Sequence, residues 1–379
     1  MSEASAPGDV TQRALAELHA QIGTPLRVEQ WNHEATRDAI RHYAHGIGDD
    51  NPLWSDPDYA RTARYGGIIA PPTFLYSIFD GVVAPGLPGY SWFYAGADWQ
   101  FDRPVRLGEA ITASATVSGA RDVGGKRVER MILQSGRTEY RTLAGERLAR
   151  LEAHTFRVAK KSDGNGGMPF APRPQHRYTE QEFAAIERMV MNEYRRGSGW
   201  LEVSEVAVGM QLPTIARGPL VPIDMTTYYA GAIGTAGYKS TKMRWLYRDL
   251  ALNAPDRLPN TLPPEYFSEG LTASMGHTDP AAAAAAGMPG VYDNGLQRTA
   301  FMITAVTNWM GDNAMLRAAS VRIKAPVIFG DTTFVKASVS ALSEEDGADL
   351  VEIALRAENQ LGETTATGTA TVELHRPAP

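Results

Sequence analysis

Apolar and polar positions follow two rhythms along this chain, and the pair of rhythms comes twice. Nearly continuous apolar stretches over Pro72 to Val82 and Gly295 to Trp309 predict two helices buried on most sides. Each is followed by residues of period two rich in β-branched side chains, Ile111 to Val117 and Thr333 to Val339, which predicts strands. Gly108 and Gly330, each closing a Pro-Val-x-x run, suit turns between strands. A further helical pattern runs from Tyr178 to Arg196, with Thr179 placed to cap it. A buried helix against an antiparallel sheet, twice over, is an α+β layout.

The two stretches are copies of one another. Tyr43-Ala44 with Ile47-Gly48 is echoed by Tyr229-Ala230 with Ile233-Gly234, an offset of 186. Trp54-Ser55-Asp56-Pro57 is echoed by His277-Thr278-Asp279-Pro280, and Pro104-Val105 with Gly108 by Pro326-Val327 with Gly330, at offsets of 223 and 222. The second copy therefore carries about 37 extra residues between Gly234 and His277. Between the copies, Lys160 to Gly167 and the Pro-rich residues up to Pro174 hold too little apolar surface to stay packed and read as a linker. The expected organisation is a first domain over 1–159, a linker over 160–176 and a second domain over 177–379 with an insertion at 235–276.

Composition narrows the chemistry. The 379 residues carry a net charge of -6 with scattered acids and bases, which argues against a nucleic-acid partner. The absence of cysteine excludes disulfides, thiolate metal sites and a cysteine nucleophile. No histidine pair has metal-ligand spacing and no Gly-rich phosphate loop follows a strand, so no metal and no bound cofactor is expected. Met1 to Val10 lacks the apolar core of a signal peptide and no apolar run approaches a membrane span, so the expectation is a cytoplasmic chain with no membrane segment.

The run Tyr43-Ala44 to Gly48-Asp49-Asp50-Asn51-Pro52-Leu53-Trp54 with Asp56, then Ala70-Pro71-Pro72-Thr73-Phe74, resembles the N-terminal domain of MaoC-like, fatty-acid-synthase-type (FAS1-like) dehydratases. His277 with Asp279, then Tyr292-Asp293-Asn294-Gly295, resembles the hydratase motif of the MaoC-like domain. The resemblance implies a double hotdog, in which each half wraps a curved antiparallel sheet around a long central helix. It also implies reversible syn addition of water to a 2-enoyl thioester, as in (R)-specific enoyl-CoA hydratases. An Asp and a His activate the water there, while a glycine N–H at the start of the central helix holds the thioester oxygen. The partners implied are an acyl-CoA or acyl-carrier thioester as substrate and, for assembly, a homodimer.

Carried over residue by residue, the pattern separates the halves. The first keeps Asp49 but has Trp54 where the His belongs and Pro72, without an N–H, at the oxyanion position. The second has His277 and, eighteen residues on, Gly295, but a Thr at the Asp position: Thr272 counted back from His277, Thr235 counted forward from Gly234. His277 and Gly295 are thus the catalytic candidates, with Asp293 preferred over Glu265 and Glu269 as the missing carboxylate. Thr272, Asn294, Gln297 and Arg298 are the expected substrate contacts, and Asp56 and Asp279, kept in both copies, are expected helix caps. The aromatic insertion (Trp245, Tyr247, Tyr266, Phe267) suggests a lid and a bulky apolar acyl group. A non-catalytic thioester-binding subunit, or a thioesterase or isomerase on the same fold, are the competing readings.

Overall fold

The structure, a computed structural model, describes residues 7–123, 131–159, 170–232, 239–268 and 273–375. Its frame is one antiparallel sheet. The strands are β1 (Pro25–Leu26), β2 (Tyr90–Phe101), β3 (Ile111–Asp122), β4 (Ile132–Thr142), β5 (Arg147–Ala159), β6 (Ile215–Arg217), β7 (Met315–Ile323), β8 (Thr333–Glu345), β9 (Ala348–Glu358) and β10 (Thr364–Leu374). Their order in space is β1-β3-β4-β5-β2-β7-β10-β9-β8-β6, so each copy supplies half and β2 joins β7 at the centre. Side-by-side pairing of the two halves, as the repeat leads one to expect, is what the register shows: Ala97 faces Val321 and Trp99 faces Ala319. Gly96 sits at that joint because a Cβ there would come within 2.1 Å of the Val321 carbonyl oxygen.

The shorter helices of the two copies also meet. Arg37–Gly46 packs against Pro222–Ala232. A Cβ on Gly231 would lie 2.2 Å from the His42 carbonyl oxygen and one on Gly46 3.1 Å from the Tyr228 Cα, so the backbones touch across the pseudo-twofold. Asp56 and Asp279 cap short helices through Asp58 N–H and Ala282 N–H, as the repeat suggested. Thr179 and Glu182 form a capping box on Glu180–Met191, a helix that stops short of Arg196. Gly108 and Gly330 adopt φ of 84° and 87° at the expected turns. Among the described residues no helix is long and apolar enough to cross a membrane.

Two expectations need correction. Gly295–Met310 is the long buried helix foreseen, but its counterpart is only a 3-10 turn over Pro72–Ser77 followed by irregular backbone. Gly81 at φ 74° and Gly86 at φ 67° break the helical path, and Pro85 could not donate within it. The freed carbonyls are served from the sheet. The buried Arg157 of β5 donates from Nη1 to Ala84 O (2.8 Å) and Pro85 O (3.2 Å), and from Nη2 to Gly86 O (2.9 Å) and Leu87 O (3.2 Å). Burial lowers its pKa to about 10, still high enough to keep the charge. The second correction concerns the linker. From Phe170 onward the chain is anchored at two residues while Ala171, Pro172, Pro174 and Gln175 stay exposed: Phe170 N–H donates to Gly287 O (3.0 Å), Arg173 N–H to Pro289 O (3.1 Å), and the Arg173 guanidinium pairs with the fully buried Asp331.

Both sheet edges are short and covered. On β3 the segment from Ile22 to Ala35 lies alongside, with β1 paired to Ala115 and Thr116 and the Gln30 side chain bridging Ala113 N–H and Ile111 O. On β8 the same task falls to residues 209–217, through Gly209, Leu212 and β6.

Replacing Arg157 by Leu would leave several buried carbonyls without a donor. The expected outcome is a loss of roughly 3 kcal/mol or more in unfolding free energy, read from urea titration of the purified protein.

Candidate active site

The second half carries the candidate chemistry at the mouth of its central helix. His277 ends a 3-10 turn, Ala273–His277, that packs on Tyr292; Gly276 is required there, since a Cβ would lie 2.8 Å from the Tyr292 ring. The His277 Nδ1 lies 3.0 Å from the Tyr292 carbonyl oxygen, which accepts only if Nδ1 carries the proton, so Nε2 is the basic nitrogen. The Tyr292 ring lies 4.3 Å from the imidazole between centroids. Crowding by protein atoms pushes the His277 pKa below its ordinary 6.5, against the opposing influence of the Tyr292 carbonyl and the Asp293 charge.

Asn294 caps the central helix, its Oδ1 accepting from Leu296 N–H at 2.9 Å, and Gly295 is the first helical residue. An N–H in that position has no acceptor within the helix and lies at the positive end of the helix dipole. Gly295 is also sterically enforced: a Cβ would meet the Tyr94 ring of β2 at 2.6 Å. His277, Asp293, Asn294, Gly295 and Arg298 all line one cleft of about 1020 Å³, its open mouth included. Its walls are aromatic and aliphatic, with Trp92, Phe93, Tyr94 and Phe156 from the first half and Phe170, Leu262, Tyr266 and Ile323 from the rest.

The expected residues do not all play the expected parts. Asp293 is buried and both its oxygens are taken by Arg298, whose Nε donates at 2.7 Å and whose Nη2 closes the pair. Arg298 Nη1 in turn donates to Ala325 O (2.6 Å) and Thr365 O (3.0 Å). The pair ties the helix start to the loop after β7 and to β10, so Asp293 acts on His277 through its charge rather than as a free base, and Arg298 is committed to protein oxygens rather than to a substrate phosphate. Gln297 points away: its Nε2 donates to Gly46 O at 3.0 Å and it lines a separate cavity with His45 and Arg217. Thr272, Thr235 and Glu269 lie outside the described residues. Glu265 is absent from the cleft lining. Of the insertion, Tyr266 sets its ring at a tilt of 51° to Trp92 (6.1 Å between centroids) and lines the cleft with Leu262, whereas Trp245 is 60% exposed and takes no part.

One cleft residue went unnoticed in the sequence. Asp80, in the unwound segment of the first half, lines the same cavity. Its signal was a lone carboxylate within Ile78-Phe79-Asp80-Gly81-Val82-Val83-Ala84, a run otherwise apolar enough to be buried. The matching place in the first half is a smaller cavity of about 560 Å³ lined by Trp54 and Pro72. Asp49, two residues before the cavity-lining Asn51 and itself outside that lining, is buried and accepts from Asn51 N–H (3.0 Å), and burial raises its pKa.

Asp293→Asn should cost roughly 3 kcal/mol of stability by stranding a buried guanidinium, and pairing it with Arg298→Met should restore most of the loss; thermal melts of the single and double variants read this out.

Comparison with known proteins agrees with this architecture. A family model described as the FAS1-like dehydratase domain region matches residues 20–151, and one described as a MaoC-like domain matches residues 275–360. A UPF0336 protein of Parafrankia sp. is 35% identical over 123 residues, 30% of this chain and 76% of that protein. An (R)-specific enoyl-CoA hydratase of Aeromonas caviae is 35% identical over 74 residues, 20% of this chain and 55% of the hydratase. Among solved structures, a MaoC-like dehydratase superposes with a TM-score of 0.63 at 18% identity, covering 94% of this chain and all (100%) of the other. A Mycobacterium tuberculosis protein described as having a double hotdog fold gives 0.51 at 12% identity, covering 93% and 96%. These identities speak for fold alone, and the fold is the double hotdog. With a FAS1-like dehydratase region in its first half and a MaoC-like domain in its second, the chain belongs with the UPF0336 proteins, which it matches over most of their length.

Proposed function

We propose that the protein is a hydratase/dehydratase of 2-enoyl thioesters, working from the cleft of its second half. The observation that carries this reading is that one apolar cleft brings the basic Nε2 of His277 together with the Gly295 end of a buried sixteen-residue helix. In the hydration direction, His277 takes a proton from water as its oxygen bonds to C3. The C2=C3 electrons move to the thioester oxygen, which the Gly295 N–H stabilises as an enolate. The proton then returns from His277 to C2, giving the 3-hydroxyacyl thioester, and one base serving both steps delivers O and H to the same face. The Asp293 charge favours the transient imidazolium, in place of the part as free carboxylate first expected of it. The thioester is carried on CoA or on a carrier protein, and the aromatic walls and volume of the cleft suit a bulky, largely apolar acyl group.

The first half then acts as wall rather than catalyst, since Trp54 and Pro72 occupy the places of base and oxyanion donor. The test is hydration of a panel of 2-enoyl-CoA thioesters of increasing bulk, followed through formation of 3-hydroxyacyl-CoA. His277→Ala is expected to lower kcat by about a hundredfold or more, while Asp49→Asn leaves it within about threefold. Loss of activity in the second variant alone, with both folded, would assign the reaction to the other half.

The pH profile should follow from the environment of His277. The imidazole is the base only when neutral, so activity falls as pH drops through its pKa. Because burial lowers that pKa, the acid limb of kcat/KM is expected below pH 6.5, and a midpoint above that value would contradict the assignment.

A further inference from the structure

Catalysis as derived uses His277, Gly295 and the Asp293 charge, and leaves one buried carboxyl group of the cleft lining without a task. Asp80 lies just beyond the 3-10 turn Pro72–Ser77, on the segment where the first half lacks its helix. It lines the cleft and is 6% exposed. Among the described residues its carboxylate receives one hydrogen bond, from the Val82 N–H at 3.0 Å. Burial raises its pKa to about 7, opposed only by that N–H. The cleft it lines is walled mainly by apolar groups, Val82, Trp92, Phe156, Tyr266 and Ile323 among them, with Tyr94, Tyr292, Asn294 and Lys324 among its polar members. A carboxyl group buried among such walls with a single backbone partner is costly unless something else satisfies it.

We infer that Asp80 selects the acyl group: the preferred thioester carries a hydroxyl on its acyl chain, beyond the reacting C2 and C3, and Asp80 hydrogen-bonds that hydroxyl. The inference rests on the reading of this cleft as a thioester site. A hydroxyl matches the residue in either protonation state, donating to the carboxylate and accepting from the carboxylic acid. An ammonium would suit only the ionised form and a ketone only the protonated one. A plain alkyl chain would bury Asp80 against methylene groups and leave its free lone pairs unserved, which is how a site built around a polar contact rejects an analogue lacking it. The division of labour follows the duplication: the second half supplies the reacting groups and the first half, freed from catalysis, supplies the reader of the acyl chain.

The experiment uses saturated acyl-CoA thioesters of one chain length, one plain and the others hydroxylated at successive carbons beyond C4, titrated calorimetrically into the full chain. Lacking the C2=C3 bond, they bind without turnover, so a failure of the hydratase reading appears separately, in the enoyl-CoA assay. At least one hydroxyl position is expected to bind about tenfold tighter than the plain chain. Asp80→Leu should erase that preference while binding the plain chain at least as well, and Asp80→Asn, able to donate and accept, should keep most of it. A wild-type protein that binds the plain chain as tightly as every hydroxylated one overturns the proposal without recourse to a variant. A folded Asp80→Leu that retains the preference, or that weakens plain and hydroxylated chains equally, also overturns it.

Discussion

The buried guanidinium of Arg157 is the constraint on which the shape of the cleft depends. Eight residues of the first half, from Asp80 to Leu87, run through the interior without helical hydrogen bonds, a course that ordinary backbone cannot follow unless its carbonyls find donors. Arg157 supplies them in one fan from β5, with Gln134 adding a bond to Pro85 O. What the segment gains is a path that leaves room where a second central helix would stand, and a surface on which the insertion docks through Ala84 N–H to Thr261 O at 2.7 Å. The cleft is therefore shaped by a residue that does not line it.

The duplication explains how such a change could be tolerated. Two identical subunits would have to carry the same residue at both sites, whereas two halves of one chain can diverge. Here His277 and Gly295, the proposed base and oxyanion donor, occupy one half, at the same eighteen-residue spacing at which the other half has Trp54 and Pro72. The joint between β2 and β7 and the crossing of helices at Gly46 and Gly231 belong to both, and these contacts keep the cleft walls from the first half in place beside the helix start from the second.

Much of this was legible in the sequence because it is local. Period-two strands, the capping Thr179, Asp56 and Asp279 and the turn glycines are written in residues a few positions apart, and the structure has them where the pattern puts them. Pro72 to Val82 failed as a helix because its apolar pattern fits any buried segment, and the donor that serves the irregular alternative lies more than seventy residues away. Asp293 and Arg298 were each noticed singly, yet their meaning is the pair, which forms across the helix start where the residue before the cap turns back. Gln297 faces another cavity for a similar reason: in the first turn of a helix, adjacent side chains diverge by about 100°. Asp80 is hidden in its own half, where Trp54 stands in place of a histidine and no motif surrounds the lone carboxylate.

The covered margins of the sheet bear on how the molecule meets others. A ten-stranded sheet with free edges would present two rows of unmatched amides and carbonyls, a template on which another strand could add. Here the outer strands are two and three residues long, their flanking chain occupies most of the remaining ladder positions on β3 and β8, and the far end of β8 projects Glu344 and Glu345 into solvent. Backbone addition is thereby discouraged at both ends. Self-association by this protein is left to its side-chain surfaces, where complementarity of shape and charge sets the partner and the geometry.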